Sequence, residues 1–428
     1  LTGRRFLAGY ASDEAQYRAL MDNAATQAQQ FGFQIGIALT AAQVAQLTSD
    51  IVWLVERDVT LPDGSVQKAL VPQIYARLGE GDLAASGSLT AGGALNLAVT
   101  QTLENRGLLA GSSVTAVAET LRNLGGRIVG DTVSLGATGD LTVDGGEIAA
   151  RDALTVQAGH DLKISSTTRT QTNGQGSVTN LDRLASLYVS AGDLTLSAGN
   201  DLTVLGAVLK NTTADGQTVL VAGNDLTLGT VALARQQKNS WEGNNWQQEA
   251  TSTEQGSRVS GAGDVTAVAG NDLTLRASSV EAGGTALLAA GNDVAIVAGR
   301  ETVAVAAQAE HTGSSGGGSK RQQRDLWGLD STRAVASTVS GQQVDVQAGR
   351  DAILEAAKIS AEDRLKITAA RDVSLVAGES GEIDSHRQQV NTREKIGFGA
   401  TRLTVTRDEI TVTPDVAKLS GRDIVLEA

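Results

Sequence analysis

The sequence predicts an all-β chain: a right-handed parallel β-helix (solenoid) with lateral loop or hairpin excursions, preceded by a small helical and hairpin module. Three observations predict it. A short unit recurs, AGNDLTV at residues 198–204, AGNDLTL at 222–228 and 269–275, then AGNDVAI from Ala290, AGRDAIL from Ala348, AARDVSL from Ala369 and SGRDIVL from Ser420. Asp140, Asp152 and Asp161 lie 12 and 9 residues apart, as do Asp351, Asp363 and Asp372, and Asp272 to Asp293 again spans 21. The chain holds 49 Gly but only four each of Phe, Tyr and Trp, so its core has to be built from Val, Leu, Ile and Ala.

Residues 1–80 form a separate module, expected to hold seven of the aromatics: Phe6, Tyr10, Tyr17, Phe31, Phe33, Trp53 and Tyr75. Ser12 followed by DEAQYRALMDNAATQAQQ reads as an N-capped helix with acids in its first turn and Gly32 at its end. Thr40 with Gln43 has capping-box spacing, and Val44, Leu47, Ile51, Leu54 and Val55 fall on one face of a second helix. VTL, a PDG turn at Pro62 to Gly64 and SVQKALV then read as a hairpin.

From Gly81 the pattern becomes one of short alternating strands. Residues 81–164 read as regular coils of about 20 residues with more than one strand each. Strands in such coils pair with their copies one coil on, about 4.8 Å away, and no coil buries its apolar face alone. Roughly 10 to 15 coils give a rod about 50 to 70 Å long. The Gly before each Asp is expected at φ above zero, with the Asn or Asp bonding its own backbone to close the corner. Asp201, Asp225, Asp272, Asp293, Asp351, Asp372 and Asp423 are thus structural turn positions, and ladders of such side chains up the rod follow.

Residues 165–428 add a longer period. Four polar stretches, 165–190, 235–261, 308–338 and 379–408, start 70, 73 and 71 residues apart. Each long unit of about 72 residues is two or three coils plus one excursion. Tyr188, Trp241, Trp246, Trp327 and Phe398 all fall in these excursions, which reserves them for lateral extensions.

The functional candidates are sparse. Trp241 and Trp246 in NSWEGNNWQQE offer a binding surface, or pack as a hairpin against the outside of the rod. Lys320, Arg321, Arg324 and Trp327 form a basic and aromatic cluster suited to a glycan, or a solvated loop. GSSGGGSK at 313–320 is similar to a phosphate loop, but Ser319 separates the last Gly from Lys320 and the surroundings are polar loop. His160, His311 and His386 are far apart with no ligand spacing, and His160 stands where other repeats have Asn. One Asp per turn is too sparse for a calcium cage, and the nonapeptide of calcium-binding solenoids is missing. No metal, no cofactor and no catalytic residue is expected: turn Asp residues do not supply the paired acids of glycoside hydrolysis.

The net charge of −13 argues against nucleic acid as a partner. The absence of Cys excludes a disulfide framework and is compatible with export. No apolar run is long enough for a transmembrane helix. LTGRRFLAGYASDEAQ lacks a signal peptide's apolar core, and with Leu first the chain reads as a piece of a longer protein.

With these features in hand, the chain resembles a large two-partner-secreted exoprotein of the filamentous haemagglutinin and contact-dependent growth inhibition type. The resemblance rests on ALTAAQVAQLTSDIVWLVERDVTLPDGSVQKALVPQIYARL at 38–78, on LTGRRFLAGY and QYRALM before it, and on the AGNDLTL and AGRD repeats; together these cover nearly the whole chain. It implies a secreted filament at the surface of a Gram-negative bacterium, exported through an outer-membrane two-partner transporter. The 38–78 stretch resembles the region that introduces the second haemagglutinin repeat block. In growth-inhibition proteins that block is implicated in carrying a C-terminal toxin across the target cell's outer membrane. The secretion and toxin domains of such proteins are not in this sequence, so it is expected neither to secrete itself nor to poison a cell. The expected role is a non-enzymatic structural and delivery segment. The alternatives are an adhesin shaft binding host glycan or protein, and a polysaccharide-active β-helix.

Overall fold

A computed structural model of the chain describes residues 13–31, 33–37, 39, 49, 51–60, 66–75, 89–241, 244–314, 320–393 and 400–428. The chain divides into two compact units, Leu1–Gly87 and Ser88–Ala428.

In the first unit a helix spans Asp13–Phe31, and an antiparallel hairpin pairs Ile51–Thr60 with Val66–Tyr75. Ser12, Gly32, Thr40, Gln43, Val44, Leu47 and the PDG turn lie outside the described residues. The expected second helix is corrected at its C-terminal half: Ile51, Leu54 and Val55 belong to a strand. The run IVWLV is β-branched and aromatic, and its pairing with VQKALVPQIY outweighs a helical spacing of apolar residues. Ala24, Phe33, Ile51, Trp53 and Val55 form the core of this unit. Phe33 meets Trp53 edge-on at 5.9 Å, and the Trp53 indole N–H donates to the Ile37 carbonyl at 3.1 Å.

The second unit is a parallel β-helix whose coils have three strand positions, here sides one, two and three. Side three begins at or directly after each repeat Asp. Its ladder runs Thr102–Asn105, Thr120–Leu124, Leu141–Asp144, Leu162–Ser165, Leu202–Leu205, residues 226–229, Leu273–Arg276, Val294–Val297, Asp351–Glu355 and Asp372–Val376, every pair parallel. Sides one and two build the second ladder, for example Ser186–Val189 on Val208–Asn211 and Asp193–Ala198 on Thr218–Ala222. Because the register is kept coil after coil, each inward position becomes a column. Leu141, Leu162, Leu202, Leu226 and Leu273 make one, Val143, Ile164, Val204, Leu228 and Leu275 the next, all 0% exposed. One apolar cluster runs from Leu109 to Ala369 without a single aromatic ring. Burying each such Leu or Ile stabilises the coil by about 2 kcal/mol.

The corners differ from expectation in an instructive way. Among the described residues, left-handed backbone occurs in the coils at Gly125, Gly145, Gly206, Ala277 and Ala356, with φ between +46° and +70°. All five sit at the corner leaving side three. The glycine of the AGND unit is not left-handed. It is required because the coils touch there: a Cβ on Gly199, Gly223, Gly270 or Gly291 would lie 2.0 to 2.1 Å from the carbonyl oxygen of the glycine one coil below. The Gly in these four repeats thus answers to stacking distance, not to turn geometry, and Ala370 takes its place in the AARD copy.

Four antiparallel hairpins leave the rod at the corner after side three. They are Thr167–Asn173 with Gly176–Arg183, residues 230–241 with Asn245–Gly256, Gly299–Ser314 with Lys320–Val335, and Gly378–Arg393 with Ala400–Asp415. Between successive hairpin coils lies one coil that turns this corner on Gly206, Ala277 or Ala356 instead. The long period is therefore two coils plus a hairpin. The second and third hairpins start closer to the rod than their polar stretches suggested, at Thr230 and Gly299, because their inner arms alternate small apolar residues just as coil strands do. Tyr188 is also corrected: it lies on the coil strand Ser186–Val189 and points outward, 38% exposed. Phe398 lies outside the described residues.

Candidate functional surface: the lateral sheet

The hairpins do not stand alone. Residues 176–179 pair with 234–237, 246–253 with 301–308, and 320–332 with 381–393, each time antiparallel. The excursions thus fuse into one eight-stranded antiparallel sheet alongside the rod. Beyond Gly299 and Gly378 at the roots, Asp325 is its one buried residue among those described. Both faces of this sheet are exposed or half-exposed, which is why the sequence here is rich in Gln, Thr, Ser, Glu and Arg.

Strand alternation sorts the candidate contact residues. Trp241 faces Asn245 across its hairpin, Gln247 faces Ala307 and Ala307 faces Trp327. Trp241, Arg321 and Trp327 therefore share one face. Trp246 faces Gln308, and Gln308 faces Leu326, so Trp246, Lys320 and Arg324 share the other. The basic and aromatic cluster seen in sequence is split by the pleat. Nor do Trp241 and Trp246 pack on the rod: they lie at the far end of a hairpin whose root pair is Thr230 and Gly256.

On the first face, Trp327 stacks on His386 with centroids 5.7 Å apart and planes 2° from parallel. Beside them Asp325, 6% exposed, accepts from the Gln323 and Gln388 amides at 2.9 Å each. Burial pushes the Asp325 carboxyl upward, but the Gln323 and Gln388 amides and the neighbouring histidines offset this, leaving it below the usual carboxylate range. On the second face the hub is Glu310. It accepts from Asn244 at 2.9 Å, from Gln322 and from Arg324 at 3.3 Å, and the Asn244 and Gln322 hydrogen bonds, in that order, hold its carboxyl low. Lys238 Nζ sits 5.5 Å from the Trp246 ring centroid. A shallow cleft of about 390 Å3 lies among Ser240, Asn244, Asn245, Trp246, Gln308 and Arg324.

Two devices tie sheet to rod, and sequence reading missed both. Arg276, on side three, donates to Glu254 of the second hairpin through Nε at 2.7 Å and Nη2 at 2.8 Å. Under the hairpin roots runs a column of buried serines. Ser166 Oγ donates to the Gly206 carbonyl at 2.7 Å, Ser257 N–H donates to Ser278 Oγ at 3.0 Å, and Ser278 N–H donates to Ser337 Oγ at 3.2 Å. Asn105 and Asn123, buried and joined at 2.8 Å, continue the inward side-three column of Val143 and Ile164. The signal for both is a residue one coil away, invisible to any local pattern.

The turn aspartates form a third device. Asn200 donates to Asp161, Asn224 to Asp201, Asn271 to Asp225 and Asn292 to Asp272, at 2.7 to 2.8 Å. Arg350 bonds Asp293 and Arg371 bonds Asp351 in the same way, at 2.8 and 2.7 Å. Each carboxylate also accepts the backbone N–H of the next coil's Asp, as Asp201 N–H to Asp161 at 3.2 Å. The bonds run between coils, where the sequence suggested each turn bonded its own backbone. Asp372 stacks on Asp351 in this column. Asp423 does not: it pairs with Arg364 at the corner between sides one and two. That corner also holds Asp152, which explains the 12 and 9 spacing as two corners per coil.

Comparison with known proteins places this architecture. The Hemagglutinin repeat family model matches residues 110–182, 222–314 and 314–407. The chain belongs to the hemagglutinin repeat family. It is 30% identical to the tRNA nuclease CdiA of Escherichia coli O6:K15:H31 over 393 residues, 84% of this chain and 11% of that protein. It is 29% identical to the deoxyribonuclease CdiA of Dickeya dadantii over 483 residues, 99% of this chain and 13% of that protein. The chain therefore spans about a tenth of the length of these relatives. No solved structure matches it. Each matched segment ends within a hairpin, at 182 in the first, 314 in the third and 407 in the fourth.

Proposed function

We propose that the chain is a non-enzymatic structural and delivery segment of a surface-exposed exoprotein, serving presentation or translocation of a toxin carried elsewhere in the longer protein. The observation that carries this reading is the two-coil unit, in which rod and lateral sheet lengthen together by a fixed step. Relatives named as nuclease toxins fit a toxin carrier, and their nuclease names describe proteins of which this segment matches only a small share. The partners of the longer protein, on this reading, are an outer-membrane two-partner transporter and a receptor or outer membrane on the target cell, with the segment exposed on a Gram-negative cell surface. No described helix is long and apolar enough to cross a membrane.

The test is an exchange in the E. coli O6:K15:H31 relative. Deleting its matching block is expected to leave surface display and target-cell attachment intact while abolishing growth inhibition, and inserting residues 1–428 of this chain is expected to restore it. Undiminished inhibition after the deletion contradicts the proposal. Loss of attachment instead supports the adhesin shaft, for which the exposed Trp241 and Trp327, on one face, are the best structural argument.

A further inference from the structure

The aspartate column carries an imidazole at one rung. Asn fills the position before the Asp at 200, 224, 271 and 292, Arg fills it at 350 and 371, and His fills it at 160. His160 Nδ1 lies 3.0 Å from Asp140 Oδ1 and 3.3 Å from Asp161 Oδ2. Among the described residues, this is the one group of three metal-ligating side chains whose donor atoms converge, all within 4.8 Å of one another.

We propose that Asp140, His160 and Asp161 bind one first-row transition-metal dication of the Zn2+ class. Donors on a single such ion, each about 2.0 to 2.2 Å from it, lie about 3 to 3.4 Å apart. The nitrogen-to-oxygen distances already match that spacing, so the ion takes the place of the shared proton with small side-chain shifts. The carboxylates are pre-set by the column itself. Asp140 Oδ1 accepts the Asp161 backbone N–H at 3.2 Å, and Asp161 Oδ1 accepts Asn200 Nδ2 at 2.8 Å and the Asp201 N–H at 3.2 Å. That leaves Asp161 Oδ2 aimed at the imidazole. Outer partners of this kind orient ligands and raise affinity. The three side chains are exposed on the rod, so water completes the coordination shell. One imidazole and two carboxylates suit Zn2+, Ni2+ or Cu2+; Ca2+ needs six or more oxygens, which one rung does not offer. Two carboxylates also neutralise the dication. Sequence reading missed the site because its ligands are 20 residues apart and meet only through coil stacking.

The experiment is calorimetric titration of the whole chain with Zn2+, with Cu2+ electron paramagnetic resonance as a second readout. One equivalent is expected, with a single-nitrogen signature. His160→Asn installs the residue that four other rungs already carry, so it keeps the fold, and it is expected to weaken binding by at least about tenfold and abolish the nitrogen coupling. Asn224→His places an imidazole between Asp201 and Asp225 and is expected to add a second equivalent. No binding by the parent chain, or unchanged binding and nitrogen coupling in His160→Asn, overturns the proposal. In particular, it would assign any bound metal to His311 or His386, the latter with Asp325 3.8 Å from its Nε2.

Discussion

The rod and the lateral sheet are made by the same chain with the same strand alternation, yet they solve opposite problems. In the rod, alternate residues vanish completely from solvent and the coil spacing leaves no room even for a methyl group at Gly199, Gly223, Gly270 and Gly291. In the sheet, neither face is covered, and among the described residues the one buried side chain beyond the roots is a carboxylate. Stability therefore accumulates in the rod, coil by coil, while the sheet is carried by its roots and by hairpin-to-hairpin pairing. The contrast teaches that a sheet needs no core of its own when every strand pair is covalently tied to one.

The largest expected difference between the two regions comes from apolar truncation. Leu226→Ala, fully buried in its column, should cost about 3 kcal/mol or more because neighbouring coils hold the cavity open. Leu233→Ala, half-buried in the second hairpin, should cost less than about 1 kcal/mol. Denaturant unfolding of both variants checks this, and equal losses would break the comparison. Next comes glycine. Gly270→Ala puts a Cβ 2.0 Å from the Gly223 carbonyl oxygen and should cost about 2 kcal/mol through forced coil separation. Gly313→Ala, with nothing within 4 Å of its Cβ, should change stability by less than about 0.5 kcal/mol.

A smaller effect sharpens how the regions are joined. Glu254→Gln removes the carboxylate from Arg276. The Arg276 side chain is 41% exposed, so solvent screening limits the cost to about 1 kcal/mol or less. The loss should appear as faster amide exchange at the root of the second hairpin, with the coil columns unchanged.

The smallest expected effect is on pH dependence. The Arg371 hydrogen bond, opposed by burial and helped by the charges of Arg371 and Arg350, holds the Asp351 carboxyl below its usual value. A carboxyl lowered on folding stabilises the fold above its unfolded value, and that contribution disappears as pH falls through the folded one. Asp351→Asn should therefore flatten the acid limb of the melting-temperature profile while leaving its neutral region parallel to the parent's. An unchanged acid limb would remove Asp351 from the account of coil stability.

Much of the rod was legible in the sequence, and for physical reasons. Stacked coils must repeat, so the Asp spacings of 12 and 9 mark two corners and the 21-residue sum marks the coil. The 72-residue period announced the excursions for the same reason. What stayed hidden was everything set between coils. The glycines were legible as necessary but not as contact points, since turn geometry and close approach leave the same letter. The pairing of hairpins with one another joins segments such as 320–332 and 381–393, which carry no local cue for it. Lys320, Arg321, Arg324 and Trp327 looked like one cluster because they are near in sequence, and alternation put them on two faces. Ile51, Leu54 and Val55 looked helical because three apolar residues at helical spacing also fit a strand buried on both faces, which is how Ile51, Val52 and Trp53 lie.

The central claim is that the coil columns hold the stability and the lateral sheet is carried by them. Residue-resolved hydrogen exchange on the intact chain tests it most directly. The slowest amides are expected at Leu202, Leu226 and Leu273, exchanging together, with protection in the second hairpin falling steadily from Thr230 at the root to Trp241 at the tip. Protection at Trp241 equal to that at Leu226, or coil amides that open before the hairpins do, would contradict it.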